Sequence, residues 1–374
     1  MEEKRFTPFE NNIEVKKEGK IKKFFKKKPV WITLIVVGAL GIAAAVYFIF
    51  FHDCGDDYTA NQPPKIEKFY SQLTGVETSK ERSTRPILAV IIENSPEARP
   101  QAGLYGAGVV FEAVAEGGIT RFTALYQEAE LSSIGPVRSV RPYFIEWANP
   151  FDVAFAHAGG SPQALQMIRS GNYGIDIDEF FLPNVLWRSN DRWAPHNVFT
   201  STEALLNYVV KEKGKTGSRF TPWLRKDGKA PKATVDEETG KKIPPKTVDK
   251  ITIPVSTGLF GVTYEYNIKA NKYLRFQGGQ AHLDENGSQI APKVVIAMMV
   301  SQSLNVDGVH TNITTTGSGI AYIFQNGTAK QVTWERGSIS DMLIFRDSNG
   351  AEMKLNSGQT WITAVPNGNI VSWQ

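Results

Sequence analysis

From Val30 to Phe51 the chain runs 22 residues without a charge (VWITLIVVGALGIAAAVYFIFF), and no other feature restricts its folding so strongly. At about 1.5 Å per residue, a helix of this run spans a hydrocarbon layer of about 30 Å. A buried helix in a water-soluble domain keeps a polar stripe, and this run has none. Trp31 and Tyr47 stand near its ends, where aromatic rings suit the lipid–water interface. Lys22, Lys23, Lys26, Lys27 and Lys28 precede it, and Asp53, Asp56 and Asp57 follow. The lysines place the N-terminus in the cytoplasm and everything from about residue 52 outside. The run exceeds the roughly 7–15 apolar residues of a cleaved signal, and no small-x-small cleavage site follows it. An uncleaved, single-pass anchor is expected. Cys54 is the chain's one cysteine, so no internal disulfide forms, and it reads as a lone juxtamembrane thiol.

The anchor also explains the charge. The chain has 42 basic and 38 acidic residues; residues 1–28 hold ten of the former and five of the latter. Removing them leaves 32 basic against 33 acidic residues, a net of about −1 for everything beyond. The basic excess belongs to the tail, and the near-neutral remainder gives no reason to expect a nucleic-acid partner.

Outside the membrane the texture changes twice. Residues 52–84 are polar, carry Pro63 and Pro64, and read as a stalk. Residues 85–224 read as a mixed α/β domain (α+β or α/β). Ile87–Ile92 (ILAVII) suits a strand buried on both faces, and Val109–Ala115, Phe122–Tyr126 and Phe151–Ala158 suit further strands. A helix is expected after Ser161-Pro162 and a second after Thr200-Ser201. Residues 225–249 are rich in Lys, Glu, Pro and Gly and read as an exposed loop or hinge. In 250–374, short strands from Ile251–Val255 to Thr360–Val365 alternate with turn pairs such as Asn286-Gly287, Asn326-Gly327 and Asn349-Gly350, which predicts a mostly β domain. The expected layout is a tail (1–29), a transmembrane helix (30–51), the stalk, and these two domains.

Several dense motifs now occur in one order. They are Arg85–Arg99 (RPILAVIIENSPEAR), Glu112–Tyr126 (EAVAEGGITRFTALY), Gly135–Tyr143 (GPVRSVRPY), His157–Pro162 (HAGGSP) and Ala194–Ser201 (APHNVFTS). Tyr264–Asn267, Gly317–Phe324 and Leu355–Pro366 (LNSGQTWITAVP) follow in the second half. Together they resemble the YerB-like lipoproteins of bacteria over nearly all of residues 85–374. The resemblance implies a two-part extracytoplasmic domain of unknown function in a bacterial envelope. Relatives commonly carry a lipoprotein cysteine. Here no small residues precede Cys54, and a helix takes over the anchoring.

Candidate chemistry gathers in the first domain. His157-Ala158-Gly159-Gly160-Ser161-Pro162 reads as strand, turn and helix, so the glycines bring bare backbone N–H groups to a helix start where an anion is favoured. The blander reading is a tight turn with Ser161 as cap; Gln163 stands where a nucleophile elbow has glycine. Arg99, Arg121, Arg138 and Arg141 form the second candidate. Arg138 and Arg141 share a helical face if Gly135-Pro136 opens a helix, and converging guanidinium groups bind carboxylate or phosphate. Their alternative is internal pairing with Glu93, Glu112 and Glu116. His157 and His196 lack any short ligand spacing, so no metal is expected, and no cofactor motif is present. Asn197 accompanies His196 in the binding candidates. Trp187 and Trp193, flanking Arg188 and Asp191, suit either sugar stacking or core packing.

Two functions fit. In one, the folded part binds an anionic envelope ligand, a wall polymer or a peptide carboxylate, through Arg99, Arg121, Arg138, Arg141, Gly159, Gly160, Ser161, His196 and Asn197. In the other it is an envelope hydrolase, with His157, Glu93 or Glu116 as base and an arginine clamp on the substrate.

Overall fold

In a computed structural model, residues 38–47, 67–305 and 307–374 are described. The chain divides into two units between Ile66 and Glu67. In the first, residues 38–47 are helical. The rest of the expected membrane span, the basic tail, Cys54 and the stalk as far as residue 66 lie outside the described residues. Among the described residues no helix is long and apolar enough to cross a membrane.

The second unit is mostly β with few helices. Its first part contributes β1 (Leu88–Glu93), β2 (Val109–Glu116), β3 (Ile119–Tyr126), β4 (Ala154–His157) and β5 (Ile175–Asp178). Helices α1 (Pro142–Ala148), α2 (Pro162–Arg169) and α3 (Thr202–Leu206) accompany them, α3 running on as a π-helical turn over Asn207–Glu212. Its second part contributes β6 (Lys250–Ile253), β7 (Val262–Asn267), β8 (Lys272–Gln277), β9 (Gln280–Ala281) and β10 (Val294–Val300). Then come β11 (Gly317–Gln325), β12 (Thr328–Arg336), β13 (Ile344–Arg346), β14 (Thr360–Pro366) and β15 (Ser372–Trp373).

Ten of these strands form one mixed sheet in the order β13-β12-β11-β10-β14-β2-β3-β1-β4-β5. The two sequence parts therefore meet inside a sheet: β14 lies parallel to β2, with Thr360–Thr363 opposite Val109–Glu112. The second sheet, β9-β8-β7-β6-β15, packs its apolar side against one face of the first. Strand β1 shows why the run ILAVII is continuous. Ala89 and Ile91 join the core beneath α1 and α2, while Leu88, Val90 and Ile92 join the core shared with β6, β7 and β8. Successive side chains of a strand point to opposite faces, and here both faces are covered. Each such Ile or Leu contributes about 1.5–3 kcal/mol by leaving water.

Three expectations need correction. Residues 69–84 are folded rather than stalk: Phe69–Tyr70 pairs with Glu77–Thr78, and Lys80–Thr84 is a short helix. The reason is Leu73, fully buried, whose N–H donates to Gln127 Oε1 at 3.1 Å. Within the expected hinge, Arg225–Lys226 pairs with Leu355–Asn356, while the hairpin Thr234–Val235 with Lys242–Ile243 is exposed. Gly135-Pro136 opens no helix. Residues 135–140 are extended and bridged to Ala102, Ile92 and Gly160, and Arg141 is only the residue before α1. Residues three apart on an extended chain face opposite ways, so Arg138 and Arg141 part company.

Candidate functional site

Strands β1, β2, β4, β5, β10 and β14 all end at one edge of the large sheet. Ligands of sheets with parallel strands bind beyond such ends. Here the ends of β1, β4 and β5 are Glu93, His157 and Asp178.

Asp178 is buried and organises the edge. Its Oδ1 accepts the N–H of Gly159 at 3.1 Å and of Phe180 at 3.3 Å, and its Oδ2 accepts from Arg169 Nη2 at 3.0 Å. Gly159, at φ +63°, gives the turn a left-handed residue and brings the Phe180 ring to 3.2 Å from where a Cβ would stand. Ser161 caps α2 through the Ala164 N–H, and its own N–H goes to Val140 O at 3.3 Å. The N–H groups of Gly159 and Ser161 are thus committed inside, and Gly160 lies between them in the cleft lining.

Alongside it lies a cleft of about 660 Å³, a size that suits a small ligand or one segment of a polymer. Its walls include Leu165, Phe180, Phe181, Pro195 and Val198, with Gly159 and Gly160 at the turn. The charged residues lining it are Arg138, Arg169 and Arg188, with no Asp or Glu among the lining side chains. Each arginine is steadied from behind by a buried carboxylate. Arg138 Nε stands 3.5 Å from Glu93, Arg169 bonds Asp178, and Arg188 grips Glu179 with Nε and Nη2 at 3.0 and 3.1 Å. Asn197 Oδ1 accepts from Arg188 Nη1 at 3.0 Å, and His196 Nδ1 donates to Glu93 Oε2 at 3.0 Å. The backing carboxylates balance the arginine charge, and it is the three guanidinium groups, not the carboxylates, that belong to the cleft lining.

The other candidates take structural posts. Arg121 and Arg141 both pair with Glu116, and Arg121 Nη1 also donates to Ser139 O at 2.7 Å beneath the cleft. Burial pushes the Arg121 guanidinium down to about 10, with Glu116 opposing, so it stays charged at neutral pH. Burial raises the Glu116 carboxyl, but the two guanidiniums outweigh it and hold it below the ordinary range. Arg99 bonds Asn94 and, across to the second part, Leu259 O at 3.0 Å. Glu112 is fully buried and receives both Nη2 bonds of Arg275 at 2.7 and 2.8 Å, besides Trp361 Nε1 at 2.9 Å. His157 is fully buried; Nδ1 faces Gly159 O and Nε2 faces Asp176 Oδ1, each at 2.8 Å. Both nitrogens are turned to internal partners and the ring does not line the cleft. Among the described residues no three His, Cys, Asp or Glu converge as metal ligands.

Of the residues expected from the sequence, Arg138, Gly159 and Gly160 line the cleft, while Ser161, His196 and Asn197 do not, the last two bonding Glu93 and Arg188; Arg169, Phe180 and Phe181 in the lining, and Asp178 behind it, were not expected. Arg188, which in the sequence stands out only as flanked by Trp187 and Trp193, also lines the cleft. The available signal was Phe180-Phe181-Leu182, an apolar run set between the acidic pair Asp178-Glu179 and Pro183. A larger cleft, about 900 Å³, lies at the opposite edge near Arg85, where Glu81 and Glu130 already pair with that arginine.

A family model described as the N-terminal domain of a protein of unknown function (DUF3048) matches residues 73–216, and its C-terminal counterpart matches 250–362. A Bacillus subtilis (strain 168) protein described as "Putative lipoprotein YerB" is 30% identical over 337 residues, 88% of this chain and 96% of that protein. The chain belongs to the YerB-like DUF3048 family. The crystal structure of the Bacillus subtilis YerB protein superposes with a TM-score of 0.70 at 29% identity, covering 82% of this chain and all of that one. Family membership brings the two-part layout and a bacterial setting.

Proposed function

We propose that this chain is an envelope protein anchored through residues 30–51, with its tail cytoplasmic and its folded unit outside, and that the unit binds an anionic envelope ligand in the arginine cleft. The observation that carries the reading is the lining itself: Arg138, Arg169 and Arg188 line the cleft, while the carboxylates that pair with them, Glu93, Asp178 and Glu179, are not part of the lining. Guanidinium groups held by buried carboxylates present their remaining N–H donors in fixed directions, the arrangement that suits carboxylate or phosphate oxygens. The lysine cluster before residue 30 and the apolar run support the anchor. A wall polymer and a peptide carboxylate are both candidate ligands. The hydrolase alternative draws support from no observation here, since His157, Glu93 and Glu116 are each occupied by internal partners.

The test is calorimetric titration of the purified protein with isolated wall polymer and with an acidic peptide, beside an Arg138→Ala variant. Binding by the wild type that weakens several-fold in the variant is the expected result. Indifference to both ligands, or equal affinity in the variant, sinks the reading. Topology is checked separately by protease treatment of intact cells, which should digest the folded part and spare a tag placed at the N-terminus.

A further inference from the structure

We propose that the ligand is an anionic glycan, its acid groups on the arginines and its sugar rings against an aromatic rim formed by Phe180, Phe181 and Trp193. This rests on the anion-binding reading and narrows it.

Apolar side chains on a surface are ordinary when scattered and informative when grouped. Phe180 and Phe181 are each 68% exposed although adjacent, and Trp193 is 91% exposed. Both phenylalanines line the arginine cleft, and Trp193 belongs to the loop that gives the cleft Pro195. Two features show that the phenylalanine rings are held rather than loose. Phe180 lies across the turn at Gly159, the glycine leaving room for its edge, and its N–H is tied to Asp178. Phe181 faces the Arg169 guanidinium, whose central carbon is 5.3 Å from the ring centroid. The loop bearing Trp193 is fixed on both sides of it: Arg192 donates to Ala98 O at 2.8 Å and Pro100 O at 2.6 Å, and the His196 N–H donates to Trp193 O at 3.0 Å.

Exposed aromatic rings beside tethered cations suit a ligand that is flat and weakly polar on one side and acidic on another. A sugar ring offers such a side, because its axial C–H bonds form an apolar face while its hydroxyls point outward. Phosphate or carboxylate groups along the chain supply the acid. An acidic peptide fits less well. It seeks main-chain partners, and the N–H groups of Gly159 and Ser161 at this edge are committed to Asp178 and Val140.

The experiment uses the full chain in lipid nanodiscs and three probes: a phosphodiester-linked oligosaccharide, polyphosphate of matched charge, and oligoglutamate. The variants are Trp193→Ala, the double variant Phe180→Ala with Phe181→Ala, and Arg138→Ala. We expect the wild type to bind the oligosaccharide most tightly. Each aromatic variant should lose about tenfold for that probe alone, a factor within reach of one lost ring contact, and Arg138→Ala should lose affinity for oligosaccharide and polyphosphate together. Polyphosphate bound as tightly as the oligosaccharide, with the aromatic variants unchanged, overturns the glycan and leaves the anion site standing. Oligoglutamate bound most tightly, and weakened by the aromatic changes, makes the ligand a peptide. No binding of any probe by the wild type overturns both readings.

Discussion

At Asp178 one carboxylate carries two backbone N–H groups and a guanidinium, so it sets the Gly159 turn, the start of the Phe180-Phe181 pair and the direction of Arg169 at once. Asp178→Ala should lower unfolding free energy by about 1–3 kcal/mol, the cost of stranding buried donors, while Asp178→Asn should lose less; urea titration of the two variants checks this. Glu112 is a sterner case. Its pair with Arg275 is fully buried, and Glu112→Gln leaves that guanidinium without a counter-charge, an expected loss of about 3–5 kcal/mol by the same measurement. Neither role was legible in the sequence. An acidic residue at a strand end or inside an apolar strand looks the same whether it faces solvent, a ligand or a partner more than 160 residues away. What can be read is residue type: of the four candidate arginines one, Arg138, lines the cleft.

Elements were easier to foresee than contacts, because each is specified by its own few residues. The apolar run at β1 and the Ser161-Pro162 start of α2 follow local rules, and both form where periodicity and capping place them. Ser161→Ala should therefore cost about 1 kcal/mol through loss of the cap to Ala164, readable as a lowered thermal midpoint with the secondary structure kept. Residues 135–141 resisted the same logic. Gly-Pro is a fair helix opening in isolation, but bridges from Val137 to Ile92 and from Val140 to Gly160 capture the segment as an extended strip. Those partners lie far off in sequence, and no local rule contains them. Residues 69–84 failed for a similar reason: one buried leucine outweighed a polar, proline-bearing context.

The two parts of the folded unit were legible as compositions but not as one sheet. A mostly β region following a mixed one suggests two cores, yet the β2–β14 pairing and the Glu112–Arg275 bond run through both. Unfolding of the 67–374 unit should accordingly be a single cooperative transition, with calorimetric and van't Hoff enthalpies agreeing; two separable transitions would contradict a shared core. Acid should weaken it in a defined window. Burial, with Arg275 and Arg99 nearby, pushes the His282 imidazole well below its usual value. The folded state thus resists a proton that the unfolded chain accepts near pH 6.5, so stability is full above that pH and declines as the pH falls. His282→Gln should flatten thermal midpoints between about pH 6.5 and 5 relative to the wild type.

The seam between β2 and β14 also sets a timetable. Glu112 and Thr363 are opposite each other in the sheet but 251 positions apart along the chain. During synthesis β1, β2 and β3 are complete long before β14 exists, and until it arrives the flank of β2 is an open edge with unpaired backbone groups. Closing so long a loop is slow, and an open apolar edge is the kind of surface on which other chains add. Newly made protein is therefore most exposed to misassembly in the interval between its first half and its last strand.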